Sequence, residues 1–330
     1  MKALLIAGGV GTRLRPLTLT RPKHLLPVAN QPHLHHVFDL LQRYDIDEVV
    51  LLTSYLAETF TASVDEARSR GLQVHVRHEV EPLGTAGALK NAEDLIDGET
   101  FFAFNGDVLT DMDLGAVLAF HRERQAQGTI VLTPVEDPSA YGVVPTQEDG
   151  RVLGFIEKPP RHEAPTNLIN AGVYLLEPEV LAKIPSGKSW STERGLFPGM
   201  VADGERLFAT PTDAYWMDIG TPEKYLQANL EALEGRFKTD AVVAPGRDTN
   251  VVAEDVSIDG AQVSSSCIGS GCSIAEGARV DRSVLLPGVI IEAGASVENC
   301  VLGERAKVLS DARLTGVTAA DGDVLDGRSG

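Results

Sequence analysis

The sequence predicts an α/β chain in two parts, a mostly parallel sheet covered by helices and then a left-handed parallel β-helix. Three observations carry this. Short apolar runs alternate with helically spaced segments as far as Gly235. Helical spacing then stops near residue 251. From there a 17-residue repeat can be counted directly.

The first part reads in order. "KALLIA", "EVVLLT", "LQVHVRH", "TFFAFNGD", "GTIVLTPV" and "AGVYLL" are β-branched or apolar runs of strand length. Between them lie stretches such as "HLHHVFDLLQRYD", apolar at helical spacing. Strands that are apolar on both faces and alternate with helices make a Rossmann-like, covered, largely parallel sheet. Ligands of such sheets collect at the carboxyl ends of the strands.

"EALEGRFKTD" and "APGRDTN" mark the change of texture. Beyond them Val251, Ile268, Leu285 and Leu302 form one column of the repeat, and Val263, Val280, Val297 and Leu314 a second. Ala261, Ala278, Ala295 and Ala312 form a third, and Gly260, Gly277 and Gly294 a fourth. Within each unit apolar residues recur about every six positions, as in Ile268, Ile274 and Val280, with small residues at the corners. One strand per flat side, three sides per coil, is a hexapeptide-repeat solenoid. The expected boundaries are 1–235 for the first domain, 236–250 for a linker, 251–316 for the β-helix and 317–330 for an acidic, glycine-rich tail that frays.

A chain of 330 residues with 43% apolar content can fill a real core. No apolar run approaches the roughly 20 residues of a membrane span, and "MKALLIAGG" is too short an apolar stretch for a signal peptide. The cytoplasm is the expected compartment. Cys267, Cys272 and Cys300 lack metal-ligand spacing and read as small buried thiols. A net charge of −18 disfavours nucleic acid and anionic membranes as partners. The charge is uneven, because residues 1–38 hold Lys2, Arg13, Arg15, Arg21 and Lys23 and no acid.

That acid-free stretch contains "GGVGTRLRP". It is not a Walker A loop, since no Gly-Lys-Ser/Thr closes it, and a G-x-G-x-x-G register fails at Leu14. Glycines still let backbone N–H groups approach a phosphate, and Arg13 and Lys23 add charge beside it. A nucleoside triphosphate is the expected ligand.

"LIAGGVGTRLRPLTLTRPKHLLPVANQP" resembles the signature of the sugar-1-phosphate nucleotidylyltransferases, the nucleotide-sugar pyrophosphorylases. "EPLGTAGAL", "FNGDVL", "AYGVVP", "FIEKP", "NAGVYLLEPEVL" and "YWMDIGTPEKYLQAN" follow in that family's order. The resemblance covers about residues 1–235, and several branches of the family also carry a C-terminal left-handed β-helix. It implies that a sugar 1-phosphate oxygen attacks the α-phosphorus of a nucleoside triphosphate and that pyrophosphate leaves. Such catalysis rests on alignment and on neutralising charge at phosphorus.

By the same resemblance, Asp107 and Asp218 hold Mg²⁺, a hard, mostly hydrated ion suited to one or two carboxylates. Arg13 and Lys23 are the catalytic cations, whereas Arg15 supports structure. Leu5, Ala7, Gly8, Gly9, Gly11, Thr12, Arg13 and Gly106 face the nucleotide. The base sits on Glu81, Pro82, Gly84 and Thr85, with Gly84 admitting a planar ring and Glu81 accepting from guanine. Lys158 binds the sugar phosphate and Glu157 the sugar hydroxyls, with Tyr141, Gly142, Asn170 and Gly172 completing the pocket. "EPLGTAG" is more similar to the mannose-1-phosphate guanylyltransferases than to the thymidylyltransferases, so GTP and mannose 1-phosphate are the expected substrates. Thymidylyl or uridylyl transfer to glucose 1-phosphate, or a cyclitol phosphate as acceptor, are the alternatives.

His33, His35 and His36 suggest a metal site, but no carboxylate stands at ligand spacing, so a helix surface or a domain contact is expected. "SWSTERGLFPGM" is expected to pack locally, and Trp190 and Trp216 to pack rather than stack on a base. A hexapeptide acyltransferase would need a histidine base in its β-helix, yet all eight histidines lie at or before His162. A nucleotide-sugar sensor without activity would be expected to lose Asp107, Asp218, Arg13 or Lys23, and all are present. The β-helix is therefore expected to be structural or to join subunits into a homo-oligomer.

Overall fold

A computed structural model describes residues 1–327. Contacts divide the chain into two compact units, Met1–Gly9 with Val37–Trp216, and Val10–His36 with Met217 onward. The division does not run along the sequence at residue 235. The segment that follows the first strand belongs with the β-helix.

The first unit is built on one nine-stranded sheet. Its strands are Lys2–Ile6 (β1), Glu48–Thr53 (β2), Gln73–His78 (β3), Phe101–Asn105 (β4), Gly128–Pro134 (β5), Gly142–Val143 (β6), Ile156–Glu157 (β7), Leu168–Leu176 (β8) and Leu207–Pro211 (β9). The order is β7-β6-β8-β4-β1-β2-β3, and β5 pairs with both β8 and β9. All six expected strands are present, whereas β6, β7 and β9 are too short or too mixed in polarity to stand out in sequence.

The sheet is mixed, which corrects the mostly parallel expectation. β4-β1-β2-β3 run parallel, as do β5 and β9, but β8 is antiparallel to β4, β5 and β6. No α-helix lies between β5 and β8, so nothing carries the chain back to start a parallel strand. Helices Thr61–Ser69 (α2), Gly84–Asn91 (α3), Leu114–Glu123 (α4) and Phe197–Ala202 (α5) belong to this unit, and helix α1 is His33–Gln42. One core joins Leu4, Val50, Phe101 and Ala103 of the sheet to Leu89 of α3 and Phe197 and Met200 of α5.

In the second unit three parallel sheets of five, five and four two- or three-residue strands form the β-helix. Ile268, Leu285, Leu302 and Ala319 stand in one register, and Val263, Val280, Val297 and Leu314 in another, each stepping by 17 residues. Two corrections follow. The first column begins at Val252, which pairs with Ile268, because Ile258–Asp259–Gly260 is one residue shorter than Ile274–Ala275–Glu276–Gly277. The coils also continue past residue 316 through Val324–Leu325. The acids there are turn partners, since Asp321 Oδ1 accepts from Glu304 N at 2.8 Å and Asp323 Oδ2 from Ala320 N at 2.8 Å. Residues 328–330 of the expected tail lie outside the described residues.

The expected linker is not loose. Phe237 and Val242 are buried, and the Phe237 ring meets His36 edge-on at 5.4 Å. Helix α6, Pro222–Leu233, joins in, with Tyr225 Oη donating to Pro27 O at 2.6 Å and Asn229 Oδ1 accepting from Ala29 N at 2.9 Å. His33, His35 and His36 are buried rather than on a helix surface. His36 Nε2 donates to Val28 O at 2.9 Å, and Nδ1 meets the Thr239 hydroxyl at 3.1 Å. Among the described residues no group of three or more His, Cys, Asp or Glu is arranged to hold a metal ion. The three thiols are free and buried, and burial pushes Cys267 up to about 12. No helix among the described residues is long and apolar enough to cross a membrane.

Candidate active site

In the first unit the carboxyl ends of four parallel strands form one edge. Ile6 of β1 stands opposite Asn105 of β4, and Gly106 N donates to Ile6 O at 3.0 Å. Glu79, just past β3, donates its N–H to Thr53 O of β2 at 2.8 Å. The glycine loop, the "NGD" turn and the base loop therefore start side by side, where loops of such sheets carry ligands. Gly8 and Gly9 leave β1 here, and a Cβ on Gly8 would press Ser54 Cβ at 3.2 Å. Gly106 is buried, and Asp107 follows it half-exposed. Leu5 and Ala7 are different. Both are wholly buried, Leu5 between Leu51 and Phe104 and Ala7 through its N–H on Leu52 O, so they are core rather than nucleotide contacts.

The base loop also differs from expectation. Glu81 and Pro82 are exposed, while Glu79, two positions earlier, is 5% exposed and accepts from Leu83 N at 3.0 Å through Oε2. Its Oε1 lies 3.9 Å from where a Gly8 Cβ would stand. Burial raises its pKa, and the Leu83 hydrogen bond opposes the rise. Sequence reasoning missed this carboxylate, although an acid directly after a strand was the available signal.

Gly84 and Thr85 also make contacts that hold the loop. Gly84 is exposed and has φ +69°, and on its Cβ side a Cβ would stand 2.8 Å from the Trp190 carbonyl oxygen. That carbonyl accepts from Ala86 N at 2.9 Å and from Gly87 N at 3.1 Å. Thr85 Oγ1 meets Thr192 Oγ1 at 2.8 Å, accepts from Thr192 N and reaches Glu193 Oε2 at 3.3 Å. "SWSTERGLF" thus seats the start of α3, a contact made about 107 residues away along the chain. Gly84→Ala is expected to lower stability by about 1–3 kcal/mol, the usual cost of such backbone strain. Chemical denaturation of both proteins measures it, and equal midpoints would mean that the loop repacks without strain.

Glu193 ties this loop to the sugar side. Its Oε2 accepts from Ser191 Oγ at 2.8 Å and its Oε1 from Tyr174 Oη at 3.2 Å. Tyr174 Oη accepts from Asn170 Nδ2 at 2.8 Å, and Asn170 Oδ1 accepts from Gly172 N at 2.9 Å. Burial first, and then the Glu193 charge, hold the Tyr174 phenol well above its usual range. Asn170 is therefore oriented from both ends of its amide, with a second N–H and a second lone pair beyond these two bonds. Gly172, at φ +73°, packs on Asn105, where a Cβ would come within 2.9 Å of Nδ2. Asn105 Oδ1 is buried without a hydrogen-bond donor.

Four sugar-side residues come together on the β6–β7 ribbon. Glu157 pairs with Gly142, and Lys158 N donates to Tyr141 O at 3.0 Å. Lys158 and Glu157 are exposed, with Arg194 Nη2 at 3.2 Å from Glu157 Oε1. The Tyr141 ring meets Trp216 edge-on at 5.6 Å, and Trp216 Nε1 donates to Ala171 O at 2.8 Å. Trp216 packs, as expected.

The second unit holds Gly11, Thr12, Arg13, Lys23 and Asp218. Gly11 has φ +66° and lies at the centre of a closed loop, accepting Thr18 Oγ1 at 2.8 Å, with Lys23 Cβ 3.4 Å from where its own Cβ would be. Thr12 and Arg13 open the short helix Thr12–Leu14 and are exposed. Arg13 Nη2 and Asp218 Oδ1 lie 3.0 and 3.1 Å from where a Cβ on Gly220 would stand, so a side chain there would make both give by a few tenths of an ångström. Lys224 Nζ is 3.6 Å from Asp218 Oδ2. Asp218 does not cap α6. Thr221 does, accepting from Lys224 N at 3.4 Å. Lys2, counted among the basic residues around the loop, is at the opposite end of β1 and is neutralised by Asp97 at 2.5 Å and Glu48 at 2.8 Å.

The family model described as "Nucleotidyl transferase" matches residues 2–235. The chain belongs to the nucleotidyl transferase family. A second model, "GlmU-like, C-terminal hexapeptide", matches residues 237–323 of this nucleotidyl transferase. The mannose-1-phosphate guanylyltransferase of Mycobacterium tuberculosis is 38% identical over 291 residues, spanning 86% of this chain and 79% of its own. Mannose-1-phosphate guanylyltransferase catalytic subunit beta of Danio rerio is 36% identical over 344 residues, spanning 98% and 92%. Among solved structures, HddC from Yersinia pseudotuberculosis complexed with GMP-PN superposes with a TM-score of 0.61 at 29% identity, covering 70% of this nucleotidyl transferase and 99% of that chain.

Proposed function

We propose that this nucleotidyl transferase moves GMP from GTP to mannose 1-phosphate. A phosphate oxygen of the sugar attacks the α-phosphorus, the bond to the bridging β-phosphate oxygen breaks, and GDP-mannose and pyrophosphate leave. The observation that carries the reading is the strand-end edge of the first unit, where the glycine loop, the Asp107 turn and a buried Glu79 start together. The activities of the relatives supply the choice of base and sugar. Arg13 and Lys23 hold charge on the phosphates, and Lys158 holds the sugar phosphate. Mg²⁺ is the proposed cofactor, with Asp107 and Asp218 as its carboxylates. Oxygen donors fit it, and the buried Asn105 Oδ1, two positions before Asp107 in sequence, lacks a donor of its own. Bound there, it would neutralise phosphate charge.

Glu79 is the base reader in this proposal. The imino and amino groups of guanine donate, so Glu79 must be ionised to accept from them. Its pKa is raised, so protonation sets in at a higher pH than for an ordinary glutamate. KM for GTP is expected to climb as pH falls through that pKa, by up to about tenfold per unit below it, and Glu79→Gln to raise KM and flatten the profile. A wild-type KM independent of pH would remove Glu79 from base recognition. The wider test measures pyrophosphate release for five nucleoside triphosphates against mannose 1-phosphate, glucose 1-phosphate and a cyclitol phosphate. GTP with mannose 1-phosphate should give the highest kcat/KM. Another winning pair overturns the specificity, and no turnover with any pair overturns the reaction.

A cytoplasmic location is supported by the free, buried thiols, which stay reduced there. Self-association through the β-helix is supported by Ile290 and Val324, outward on one face and 42% and 64% exposed. The charge of −18 supports a small anionic substrate over nucleic acid or membrane.

A further inference from the structure

Arg21 lies in the signature loop, two residues before Lys23, and its side chain turns to two acids of the β-helix. Its side chain is 12% exposed, with Nη1 2.9 Å from Glu304 Oε1 and Nη2 2.7 Å from Asp321 Oδ2. Thr20 Oγ1 donates to the same Asp321 oxygen at 2.6 Å. Asp321 Oδ1 accepts from Glu304 N, so this carboxylate is held by its own coil while it holds the loop. A largely buried cation paired with two acids is costly to break from either side. Asn30 Nδ2 adds a second tie, donating to Ile268 O at 2.7 Å and Val251 O at 3.2 Å in the first coils.

The connection from Arg21 to the loop's working residues is stiff. Pro22 is buried, its ring fixes φ, and it restricts Arg21 to extended backbone. Lys23 comes next and packs its Cβ toward Gly11, which leads into Thr12 and Arg13. Wherever Arg21 is held, Lys23 and the Gly11–Arg13 turn follow.

We propose that Arg21, clasped by Glu304 and Asp321 of the last β-helix coils, is a positioning residue that sets Lys23 and Arg13 for nucleotidyl transfer. The β-helix is then part of the catalytic device and not only a structural or subunit-joining module. The proposal rests on the reading of Arg13 and Lys23 as transfer residues.

The test uses the full chain with Arg21→Ala, Asp321→Ala, their double variant and Arg21→Lys. Arg21→Ala leaves the Asp321–Glu304 bond of the coil intact, so it separates the clasp from coil stability. Each single alanine variant should lower kcat at least about tenfold, as small misplacements of aligned groups do, with KM for mannose 1-phosphate little changed. The double variant should be no worse than the singles, and Arg21→Lys should recover part of the loss. Amide hydrogen exchange over residues 11–26 should become at least about tenfold faster in both alanine variants. Wild-type kcat and unchanged exchange in Arg21→Ala overturn the proposal, whatever Asp321→Ala does. If the wild-type protein turns over no substrate pair, the transfer reading fails by itself. Exchange then decides the clasp, faster exchange supporting it and unchanged exchange ending it.

Discussion

Asp107→Asn is expected to lower kcat about a thousandfold, the scale of several kcal/mol of charge stabilisation at a transferring phosphoryl group. The change keeps shape and removes charge. Asp107 is half-exposed after Gly106, whereas β4 is anchored by Phe101, Phe102 and Phe104, all essentially buried. Unfolding should therefore shift by no more than about 0.5 kcal/mol, as for surface substitutions outside the core. Pyrophosphate release across a Mg²⁺ titration, beside a denaturation curve, measures both. Near-normal turnover at ordinary Mg²⁺ would leave Asp107 a turn residue. A large loss of stability would mean that the "NGD" turn is structural first.

Arg13→Ala should cost about a hundred- to thousandfold in kcat, the range for removing one preorganised group that stabilises developing charge. The companion Gly220→Ala tests whether position matters as much as presence. A Cβ there would sit 3.0 Å from Arg13 Nη2 and 3.1 Å from Asp218 Oδ1, so both must give by a few tenths of an ångström. Gly220→Ala should reproduce a large part of the Arg13→Ala loss although every ionisable group remains. Free guanidine added to Arg13→Ala should restore some rate, and should do little for Gly220→Ala, where the space is filled. If Gly220→Ala is fully active, the guanidinium has room to re-aim and the glycine is not there for it.

The clasp and the base loop show where sequence reading stops. Arg21 was counted with Lys2 as basic charge near the glycine loop, yet both are neutralised by acids, Lys2 by Glu48 and Asp97, Arg21 by Glu304 and Asp321. No local pattern joins Thr20 to an aspartate 301 residues away. Glu81 stood in the base-loop motif and is exposed, while Glu79 is the buried one. Burial depends on what lies across the strand ends, and that is invisible along the chain. Thr85 and Gly84 fit the family's wording, and they also contact Thr192 and the Trp190 carbonyl.

What the sequence by itself determined is what spacing and residue type can encode locally. Strand-length apolar runs located six of the nine strands, and the 17-residue period placed two of the three interior columns of the β-helix. Ordered motifs named the family that matches residues 2–235. Tertiary structure alone decided the antiparallel course of β8, the extra coil through Leu325 and the grouping of Val10–His36 with the β-helix. It also decided which charges around the glycine loop are neutralised by neighbours. Each of these depends on contacts between residues distant in sequence, and a charge or a carboxylate acquires its role from what it is buried against.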